Sequence, residues 1–375
     1  MIYKKFQDKQ ISALGMGCMR LPGGGYGNAH IDEEQTAKMF DYAIEHGVNY
    51  FDTAYGYHAG QSEIVVGKLL KRYPRDSYYL ADKFPGYDLS YMDKVEQIFE
   101  EQLRKTGMEY FDFYLFHSVV ENNINEYLDK KYGIFEYLYK QKQNGRIRHL
   151  GFSTHGSLET NTRFLNEYGH AMEFVQLQLN WLDWTFQKGK EQVDLMSKYN
   201  LPVWVMEPVR GGKLAKLTKE YEEKLRALRP EETTPAWAFR FLQGIPQVAV
   251  TLSGMSDFEQ LKQNIQTYQS ERPLNEREKA VLAEIAEDML KHLMPCTACR
   301  YCTQYCPMQL DIPYLLETYN EYVLSSGGII PTRKINGLPT DKRPSACVGC
   351  RACEQVCPQN IGISTALADF TGRLK

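Results

Sequence analysis

Short apolar runs alternate with longer amphipathic segments between positions 12 and 253. Each of the eight runs is rich in β-branched and aromatic residues, and the following segments carry apolar residues three or four positions apart. Near-continuous apolar runs are typical of parallel strands that are buried on both faces, and the longer spacing is typical of helices. The predicted strands are 12–17, 49–52, 78–83, 111–117, 147–153, 174–179, 202–207 and 248–252.

The segment that follows the first predicted strand has the signals of a complete helix. Asp32 is in position to cap its start, Phe40 lies on its apolar face, and Gly47 is in position to end it. Eight such strand–helix units within about 250 residues favour an α/β fold, a (β/α)8 TIM barrel. A doubly wound parallel sheet with a similar number of strands is the alternative.

Polar residues follow the apolar part of nearly every predicted strand. In a (β/α)8 barrel the active site lies at the carboxyl ends of the strands, so these residues would meet around one opening. A single polar residue at such a position commonly caps the next helix, and the inference therefore depends on the whole set. The residues are Asp52, Lys83, His117, Ser153, Asn180, Glu207 and Ser253.

The overall composition excludes some classes of protein. The chain has 375 residues, 43% of them hydrophobic, and its 44 basic residues nearly balance its 47 acidic ones. This composition excludes global disorder, and no basic run indicates nucleic-acid binding. The first residues include no apolar signal segment, and no stretch approaches 18 apolar residues, which predicts no membrane association and a cytoplasmic location.

Eight of the nine cysteines lie between positions 296 and 357, and Cys18 stands apart. The cluster contains two copies of C-x2-C-x2-C-x3-C-P, whose first three thiolates can wrap one iron–sulfur cube while the fourth reaches another cluster. Four-cysteine zinc sites normally use two C-x2-C pairs instead. The spacing predicts two [4Fe–4S] clusters, one on Cys296, Cys299, Cys302 and Cys357, and the other on Cys347, Cys350, Cys353 and Cys306.

The cysteine region resembles bacterial two-cluster ferredoxins, with 40 residues inserted between its two motifs. The first part of the insertion, 312–324, has the pattern of a helix, and the rest, which includes Gly327-Gly328 and Pro331, has that of a loop. We therefore predict a barrel domain over 1–291 and a small, mainly helical iron–sulfur domain over 292–375. A charge-rich helix, 274–293, precedes the second domain.

Four residues near the predicted barrel opening suggest acid catalysis. A phenol such as Tyr57 becomes an effective proton donor when an ammonium such as Lys83 stabilises its phenolate. A carboxylate, Asp52, would keep that ammonium charged, and a neutral imidazole, His117, would orient a substrate carbonyl. Taken singly, each residue has an ordinary structural explanation, such as a helix cap or a strand end exposed to solvent.

These residues resemble the signature of the aldo-keto reductases. The sequence Phe51-Asp52-Thr53-Ala54-Tyr55-Gly56-Tyr57, followed by Ser62-Glu63, is similar to the family pattern D-T-A-x-x-Y…S-E. The strands that end in Lys83 and His117 resemble the lysine and histidine strands of the family. The resemblance implies reduction of an aldehyde or ketone by hydride transfer from NADH or NADPH, with Tyr57 as general acid, Lys83 and Asp52 as its tuning partners, and His117 orienting the carbonyl.

The same resemblance implies a set of cofactor-binding residues. Ser153 matches the serine of the family's Gly-x-Ser-Asn, and Gln176 matches the glutamine that is expected to bind the carboxamide, whereas Met206 replaces a stacking aromatic residue. Gln260 stands where members that prefer NADP carry a bidentate arginine, so the choice between the two nucleotides stays open. No motif indicates a flavin, although the last loops of a barrel can hold its phosphate. The full set is Met19, Arg20, Ser153, Gln176, Met206, Gly254, Ser256, Gln260 and Asn264.

Two functions are compatible with this combination of domains. The first is an NAD(P)H-dependent carbonyl reductase whose clusters stabilise the fold or relay electrons to a redox protein. The second is an iron–sulfur electron-transfer protein whose barrel docks a partner or senses a nucleotide. The glycine-rich segment 21–25 lacks the Gly-Lys-Ser/Thr of a phosphate loop and is expected to be a loop at the barrel opening. Trp181 and Trp184 either line the substrate pocket or pack in the core.

Overall fold

The computed structural model describes residues 1–24 and 28–375. The chain divides into two compact units, Met1–Ile285 and Ala286–Lys375. The predicted boundary at Lys291 lies just after helix Glu276–Leu290, and the division between the compact units falls inside that helix. Of the predicted glycine-rich loop, Gly25 lies outside the described residues.

The first unit is the predicted (β/α)8 barrel. Eight strands, β3 to β10, are parallel throughout and close on themselves when β10 pairs with both β3 and β9. Because parallel strands of a closed barrel have their carboxyl ends at one rim, closure brings distant polar residues to one opening. The strands are β3 (Leu14–Gly17), β4 (Tyr50–Asp52), β5 (Tyr79–Phe84), β6 (Phe111–Val119), β7 (Ile147–Thr154), β8 (Phe174–Gln178), β9 (Val203–Met206) and β10 (Val248–Ser253).

Helices connect the strands where the spacing of apolar residues predicts them. Asp32 caps the first helix, because its carboxylate accepts a hydrogen bond of 2.9 Å from the Gln35 amide. Within the described ranges, no helix is long and apolar enough to cross a membrane. The helices up to the second unit are α1 (Glu33–Glu45), α2 (Ser62–Leu70), α3 (Val95–Thr106), α4 (Ile124–Leu128), α5 (Ile134–Gln143), α6 (Leu158–Tyr168), α7 (Asp183–Phe186), α8 (Gly189–Lys198), α9 (Lys219–Leu228), α10 (Thr234–Gln243), α11 (Phe258–Thr267) and α12 (Glu276–Leu290).

An antiparallel hairpin precedes the barrel, and the apolar pattern did not predict it. Its strands are β1 (Tyr3–Phe6) and β2 (Lys9–Ser12). Phe6 packs edge-on against Trp204, with ring centroids 5.2 Å apart, and belongs to the same buried cluster as Tyr50 and Phe113. The hairpin therefore contributes an aromatic side chain to the packing inside the barrel.

Glu173 binds the turn of this hairpin, because Gln7, between β1 and β2, donates a hydrogen bond to it. Its carboxylate accepts hydrogen bonds from Gln7, at 2.8 Å, and from Lys142, at 2.6 Å, and lies 3.2 Å from the His149 ring. Burial raises the pKa of Glu173, but the hydrogen bonds from His149, Lys142 and Gln7 outweigh it and lower the pKa to about 2. The charged form of this carboxylate is thus favoured by folding.

The second unit is built from helices around the cysteines. Its apolar core includes the buried Cys302 and Cys353 together with Leu316, Leu367 and Phe370. The predicted helix over 312–324 is confirmed. The helices are α13 (Ile312–Leu324), α14 (Ile329–Asn336), α15 (Ala352–Gln355) and α16 (Ile363–Arg373).

The prediction of a loop for the rest of the insertion is wrong over α14. Gly328 has an extended backbone and precedes the helix, and Pro331 occupies its third position. The amide hydrogens of the first helical turn have no partner inside the helix, so a proline there removes no helical hydrogen bond. Gly327-Gly328 and Pro331 therefore mark the start of a helix and not a loop.

We expect Glu173→Gln to lower the free energy of unfolding by about 1–3 kcal/mol at pH 7, because it removes the charge that Lys142 and His149 contact. Denaturant unfolding of the full chain measures this loss. The stabilisation from Glu173 should be present above its usual pKa of about 4.5 and be lost as the pH falls towards 2. The control is Glu271→Gln, which breaks an exposed 2.6 Å pair with Lys4 and should change the free energy by less than about 0.5 kcal/mol.

Candidate active site and cysteine cavities

A buried ion pair lies at the carboxyl ends of β4 and β5. The Lys83 ammonium donates hydrogen bonds of 2.6 Å to Asp52 Oδ1 and of 2.7 Å to the carbonyl oxygen of Thr53. The Lys83 side chain is fully buried, and Asp52 is 2% exposed. Burial raises the pKa of Asp52, and the Lys83 ammonium opposes that rise. Each charge is tolerated out of water because the other neutralises it.

Tyr57 lies directly over this pair. Its ring centroid is 5.1 Å from Lys83 Nζ, within the range of a cation–π contact, and the side chain is half-buried. The two residues that follow, His58 and Ala59, both have φ of +51°. This left-handed conformation is unfavourable for residues with a side chain, so the turn that presents Tyr57 is held by contacts from elsewhere.

His58 supplies one of those contacts. Its Nε2 accepts a hydrogen bond of 3.0 Å from the Leu21 amide, and its Nδ1 donates to the carbonyl oxygen of Asn28 at 3.0 Å. The pattern requires a neutral ring with its proton on Nδ1. Burial lowers the pKa of His58 below its usual value of 6.5. Through these two bonds, the His58 ring connects the turn that contains Tyr57 to Leu21 and Asn28 in the loop after β3.

His117 is presented by an irregularity in β6. The pairing of β6 with β7 shifts between Phe116 and Val119, and Ser118 has φ of +58°. Ser153 stabilises the shift, since its hydroxyl accepts a 2.8 Å hydrogen bond from the Ser118 amide. Such bulges redirect a side chain. The His117 ring is half-buried, and its centroid lies 6.0 Å from that of Tyr57 at an interplanar angle of 80°.

A second buried network supports the backbone of Lys83. Gln102 donates through Nε2 to Glu63 Oε1 at 2.9 Å and to Asp82 Oδ1 at 2.8 Å. Asp82 Oδ1 also accepts the Lys83 amide at 2.8 Å. Burial and the neighbouring Glu63 carboxyl raise the pKa of Asp82. The glutamate of the sequence signature, Glu63, therefore belongs to the network that supports Lys83, a role that its spacing did not predict.

Several predicted cofactor residues meet between the loops after β3 and β10. The Arg20 side chain passes over Gly254, where an added Cβ would lie 3.3 Å from it. The hydroxyl of Ser256 donates to the carbonyl oxygen of Arg20 at 2.9 Å. Gln260 is bound within its own loop, because its side chain accepts from the Ser256 amide and donates to Asp257.

The other predicted cofactor residues lie along the barrel rim. Gln176 is 2% exposed, its Nε2 lies 3.8 Å from the sulfur of Met206, and its Oε1 has no hydrogen-bond partner among the described residues. Asn264 donates to the Ser253 hydroxyl at 3.1 Å. Met19 is half-buried in the short turn after β3. The unpaired amide oxygen of Gln176 is suited to accept from a carboxamide NH2.

The loop after β9 is a further candidate that the sequence motifs did not identify. Glu207, Arg210, Gly211 and Gly212 all have positive φ, between +49° and +99°. A Cβ on Gly211 would lie 3.3 Å from the Arg20 guanidinium. The amides of Arg210 and Gly212 already donate to the carbonyl oxygens of Glu207 and Val209, so the Arg20 guanidinium beside Gly211 is the group here that is suited to a phosphate. The Gly211-Gly212 pair directly after a strand is the sequence signal that points to it.

The two tryptophans after β8 were expected either to line the substrate pocket or to pack in the core. Trp181 is 4% exposed, and Trp184 packs edge-on against Phe241, with ring centroids 5.6 Å apart. Nearby, Arg210 forms a buried ion pair with Asp183, with Nε 3.0 Å from Oδ1. These contacts favour packing for Trp184.

Two open cavities in the second unit are each lined by four cysteines. In residues 1–24 and 28–375, no three His, Cys, Asp or Glu side chains are arranged to hold a single metal ion. The cysteines of the first cysteine cavity are Cys296, Cys299, Cys302 and Cys357. Those of the second cysteine cavity are Cys306, Cys347, Cys350 and Cys353.

The two cysteine motifs share one backbone conformation at an offset of 51 positions. Three pairs of equivalent residues have positive φ, between +51° and +68°. The hydrogen bond from the Gln309 amide to the Cys306 carbonyl, 2.9 Å, recurs from Asn360 to Cys357 at 3.1 Å. The repeat thus builds two equivalent loops. The three pairs are Ala298 and Gly349, Arg300 and Arg351, and Gln309 and Asn360.

Comparison with known families agrees with both units. The profile of the aldo/keto reductase family matches residues 13–287, and the profile of a 4Fe-4S dicluster domain matches residues 295–361. The first match covers most of the chain. The chain therefore belongs to the aldo/keto reductase family and carries a C-terminal iron–sulfur domain.

Relatives align with the barrel over nearly their whole length. The uncharacterized oxidoreductase YqkF of Bacillus subtilis is 28% identical over 76% of this chain and 96% of its own. The NADH-specific methylglyoxal reductase of Escherichia coli is 24% identical over 75% of this chain and 96% of its own. An aldo-keto reductase from Bacillus halodurans superimposes with a TM-score of 0.61 at 25% identity, covering 76% of this chain and 96% of its own.

We expect acid to destabilise the first unit through His58. Protonation of Nε2 breaks its bond from the Leu21 amide, and the folded pKa lies below the unfolded one, so this stabilisation is complete above about pH 6.5 and is lost as the pH falls below it. Denaturant unfolding at pH 7.5 and 5.5 measures the difference. His58→Gln keeps an acceptor that does not titrate and should reduce the pH dependence. Equal pH dependence in wild type and His58→Gln would exclude this role.

Proposed function

We propose that the barrel reduces a small carbonyl compound with NADH or NADPH, with Tyr57 as the general acid. The observation that carries the proposal is the position of the Tyr57 ring over the buried Lys83 ammonium, which is itself paired with Asp52. Membership of an oxidoreductase family supports the same reaction class.

Each of the four residues has a distinct task in this proposal. A bound nicotinamide supplies the hydride. Tyr57 gives its phenolic proton to the carbonyl oxygen, and the adjacent Lys83 ammonium stabilises the phenolate that remains. Asp52 keeps Lys83 charged and fixed. His117, with its ring edge-on to Tyr57, donates to the same carbonyl oxygen and orients it.

The residues around the rim suit a nicotinamide dinucleotide. The unpaired Oε1 of Gln176 would receive the carboxamide, next to Met206. Arg20, whose guanidinium lies beside Gly211, would hold the diphosphate, and the loop of Gly254 and Ser256 would hold the adenosine end. A Klebsiella pneumoniae aldo-keto reductase of the same fold, 20% identical with a TM-score of 0.61, was solved with NADP and acetate. Gln260 has a neutral side chain that is bound within its own loop, so it offers no charge to select NADPH.

We propose two [4Fe–4S] clusters in the second unit, one in each cysteine cavity. The lining of each cavity by four thiols supports the predicted ligand sets, in which each motif lends its fourth cysteine to the other cluster. Cys302 and Cys353 also belong to the apolar core of the unit, so the clusters would stabilise its fold as well as hold electrons.

We expect Tyr57→Phe to lower kcat for aldehyde reduction by about 10²–10⁴-fold, because the proton donor is lost. Aldehyde-dependent oxidation of NADH and of NADPH measures the rate, and fluorescence titration should show nucleotide binding unchanged. Tyr55→Phe is the matched control, since its hydroxyl contacts Glu101 at 3.0 Å, and it should retain activity within a few-fold. Unchanged turnover in Tyr57→Phe would refute the proposal.

The two ligand sets predict a difference between double variants that lose the same number of cysteines. Cys299→Ser with Cys357→Ser removes two ligands from the first cysteine cavity and should leave one cluster. Cys299→Ser with Cys306→Ser removes one ligand from each cavity and should disturb both clusters. Iron and sulfide analysis, together with EPR of the reduced protein, distinguishes them. Cys18→Ser, which changes a buried barrel thiol, should keep the full iron content. The opposite order of the double variants would show that each motif binds its own cluster.

A further inference from the structure

Two buried carboxyl groups lie between the barrel strands and the helices, behind Lys83. Side chains alternate along a strand, so Asp82 points to the helix layer while Lys83 points into the barrel. Asp82 and Glu63 are both fully buried. The Nε2 atom of Gln102 donates to Glu63 Oε1 at 2.9 Å and to Asp82 Oδ1 at 2.8 Å. Because one amide nitrogen bonds to both, the two carboxyl groups are direct neighbours.

The cations near these carboxyl groups do not balance their charge. Lys105 is paired with Glu63, and its side chain is 10% exposed. The Lys83 ammonium is already paired with Asp52 at 2.6 Å, on the other side of the strand. Among the described residues, three buried carboxyl groups therefore share two ammonium groups, and Asp82 is the one without a cation of its own. A buried acid without a counter-ion is costly in its charged form and takes up a proton instead.

The hydrogen bonds of Asp82 point to the same conclusion. Its Oδ1 accepts from Gln102 and from the Lys83 amide, both at 2.8 Å. Its Oδ2 is buried and has no donor among the described residues. Burial, the charge of Glu63 and a hydrogen bond to Glu63 raise the pKa of Asp82. Two carboxyl groups can bond to each other only when one of them carries a proton.

The other polar groups around Asp82 supply no positive charge. The Tyr114 hydroxyl, on β6, donates to Gln102 Oε1 at 2.6 Å, which directs the NH2 of that amide towards the carboxyl groups. Burial and the charge of Asp82 raise the pKa of Tyr114, so its hydroxyl stays neutral. On the outer side of α3, Glu101 adds a carboxylate, and Arg104 lies 4.0 Å from it with a side chain that is 75% exposed.

We propose that Asp82 and Glu63 share one proton at neutral pH, and that this proton makes Asp82 a positioning residue for Lys83. The pair then has one negative charge, which Lys105 balances. Asp82 can accept from the Lys83 amide without placing a second charge behind the lysine. Gln102 donates to the carbonyl oxygen of Lys83 at 3.0 Å, so both backbone groups of Lys83 are held. The positioning role rests on the proposed function, whereas the shared proton does not.

The pH dependence of unfolding tests the shared proton. Above the usual aspartate pKa of 3.8 the unfolded chain releases a proton that the folded chain keeps. The folding equilibrium constant of wild type, divided by that of Asp82→Asn, should therefore fall by about tenfold per pH unit between pH 5.5 and 7. Titrating groups that both proteins share cancel in this ratio. Denaturant unfolding of the full chain measures it by tryptophan fluorescence, since all four tryptophans lie in the first unit.

Asp183→Asn is the matched control for this experiment. Asp183 is also fully buried, but it has its own cation, because Arg210 Nε lies 3.0 Å from its Oδ1. The ratio of wild type to Asp183→Asn should not change over the same pH range. Glu63→Gln removes the other member of the pair and should give the same pH dependence as Asp82→Asn, which covers the case that Asp82→Asn is unstable. A ratio that is constant with pH for both variants of the pair overturns the shared proton.

Infrared spectroscopy tests for the same proton in the folded protein. At pH 7 the spectrum of wild type minus that of Asp82→Asn should contain the carbonyl stretch of a protonated carboxyl group, and this band should shift in D2O. The corresponding difference for Asp183→Asn should contain no such band, because the Asp183 carboxylate is paired with Arg210. The absence of the band from the Asp82 difference spectrum also overturns the proposal.

Aldehyde reduction tests the positioning role. Asp82→Ala leaves the Lys83 amide without its acceptor and should lower kcat by about tenfold or more, while the KM for the nucleotide stays unchanged. Asp82→Asn keeps the acceptor oxygen and should restore kcat to within about threefold of wild type. Full activity in Asp82→Ala, or no rescue by Asp82→Asn, overturns the positioning role. Wild type that reduces no aldehyde would refute the proposed function, while unfolding and infrared spectroscopy would still confirm or refute the shared proton.

Discussion

The proposed acid catalysis depends on one interaction, the buried Asp52–Lys83 ion pair beneath Tyr57. Two charges that are removed from water are costly unless each offsets the other, and this pair has almost no contact with solvent. The second carboxylate oxygen of Asp52 has no hydrogen-bond partner among the described residues, so that charge interacts chiefly with Lys83. The pair requires β4 and β5 to lie side by side in register, which closure of the barrel provides. Tyr57 lies above Lys83, and Asp82 holds the lysine backbone from behind.

Around that pair, the chain adopts conformations that its local sequence disfavours. His58, Ala59 and Ser118 all have left-handed backbones next to the proposed catalytic residues. Each such residue costs on the order of 1–3 kcal/mol, which distant contacts must offset. His58 bonds to residues 37 and 30 positions away, and Ser118 bonds to Ser153 on the next strand. Holding Tyr57 and His117 in place therefore lowers the net stability of the barrel.

The periodic part of the fold could be predicted from the sequence, and the rest depends on contacts that no periodicity encodes. The eight strands and helix Ile312–Leu324 follow from apolar spacing. The hairpin of Phe6 could not be predicted, because its strands are largely polar and only one aromatic side chain enters the barrel. The signature pattern identified Asp52 and Tyr57, and the strands that resemble the lysine and histidine strands of the family identified Lys83 and His117. The shape of the loop at Gly211 could not be predicted either, because it depends on backbone conformation.

The repeat in the second unit has a consequence for how the protein is made. Each cysteine cavity combines three thiols from one motif with one from the other, so the two halves of the unit are interlocked. For the ligand sets proposed above, the fourth thiolate of the first cluster follows the third by 55 positions, so a ribosome would have to synthesise both motifs before that cluster could be enclosed. Neither half is then a self-sufficient module that recombination could transfer alone.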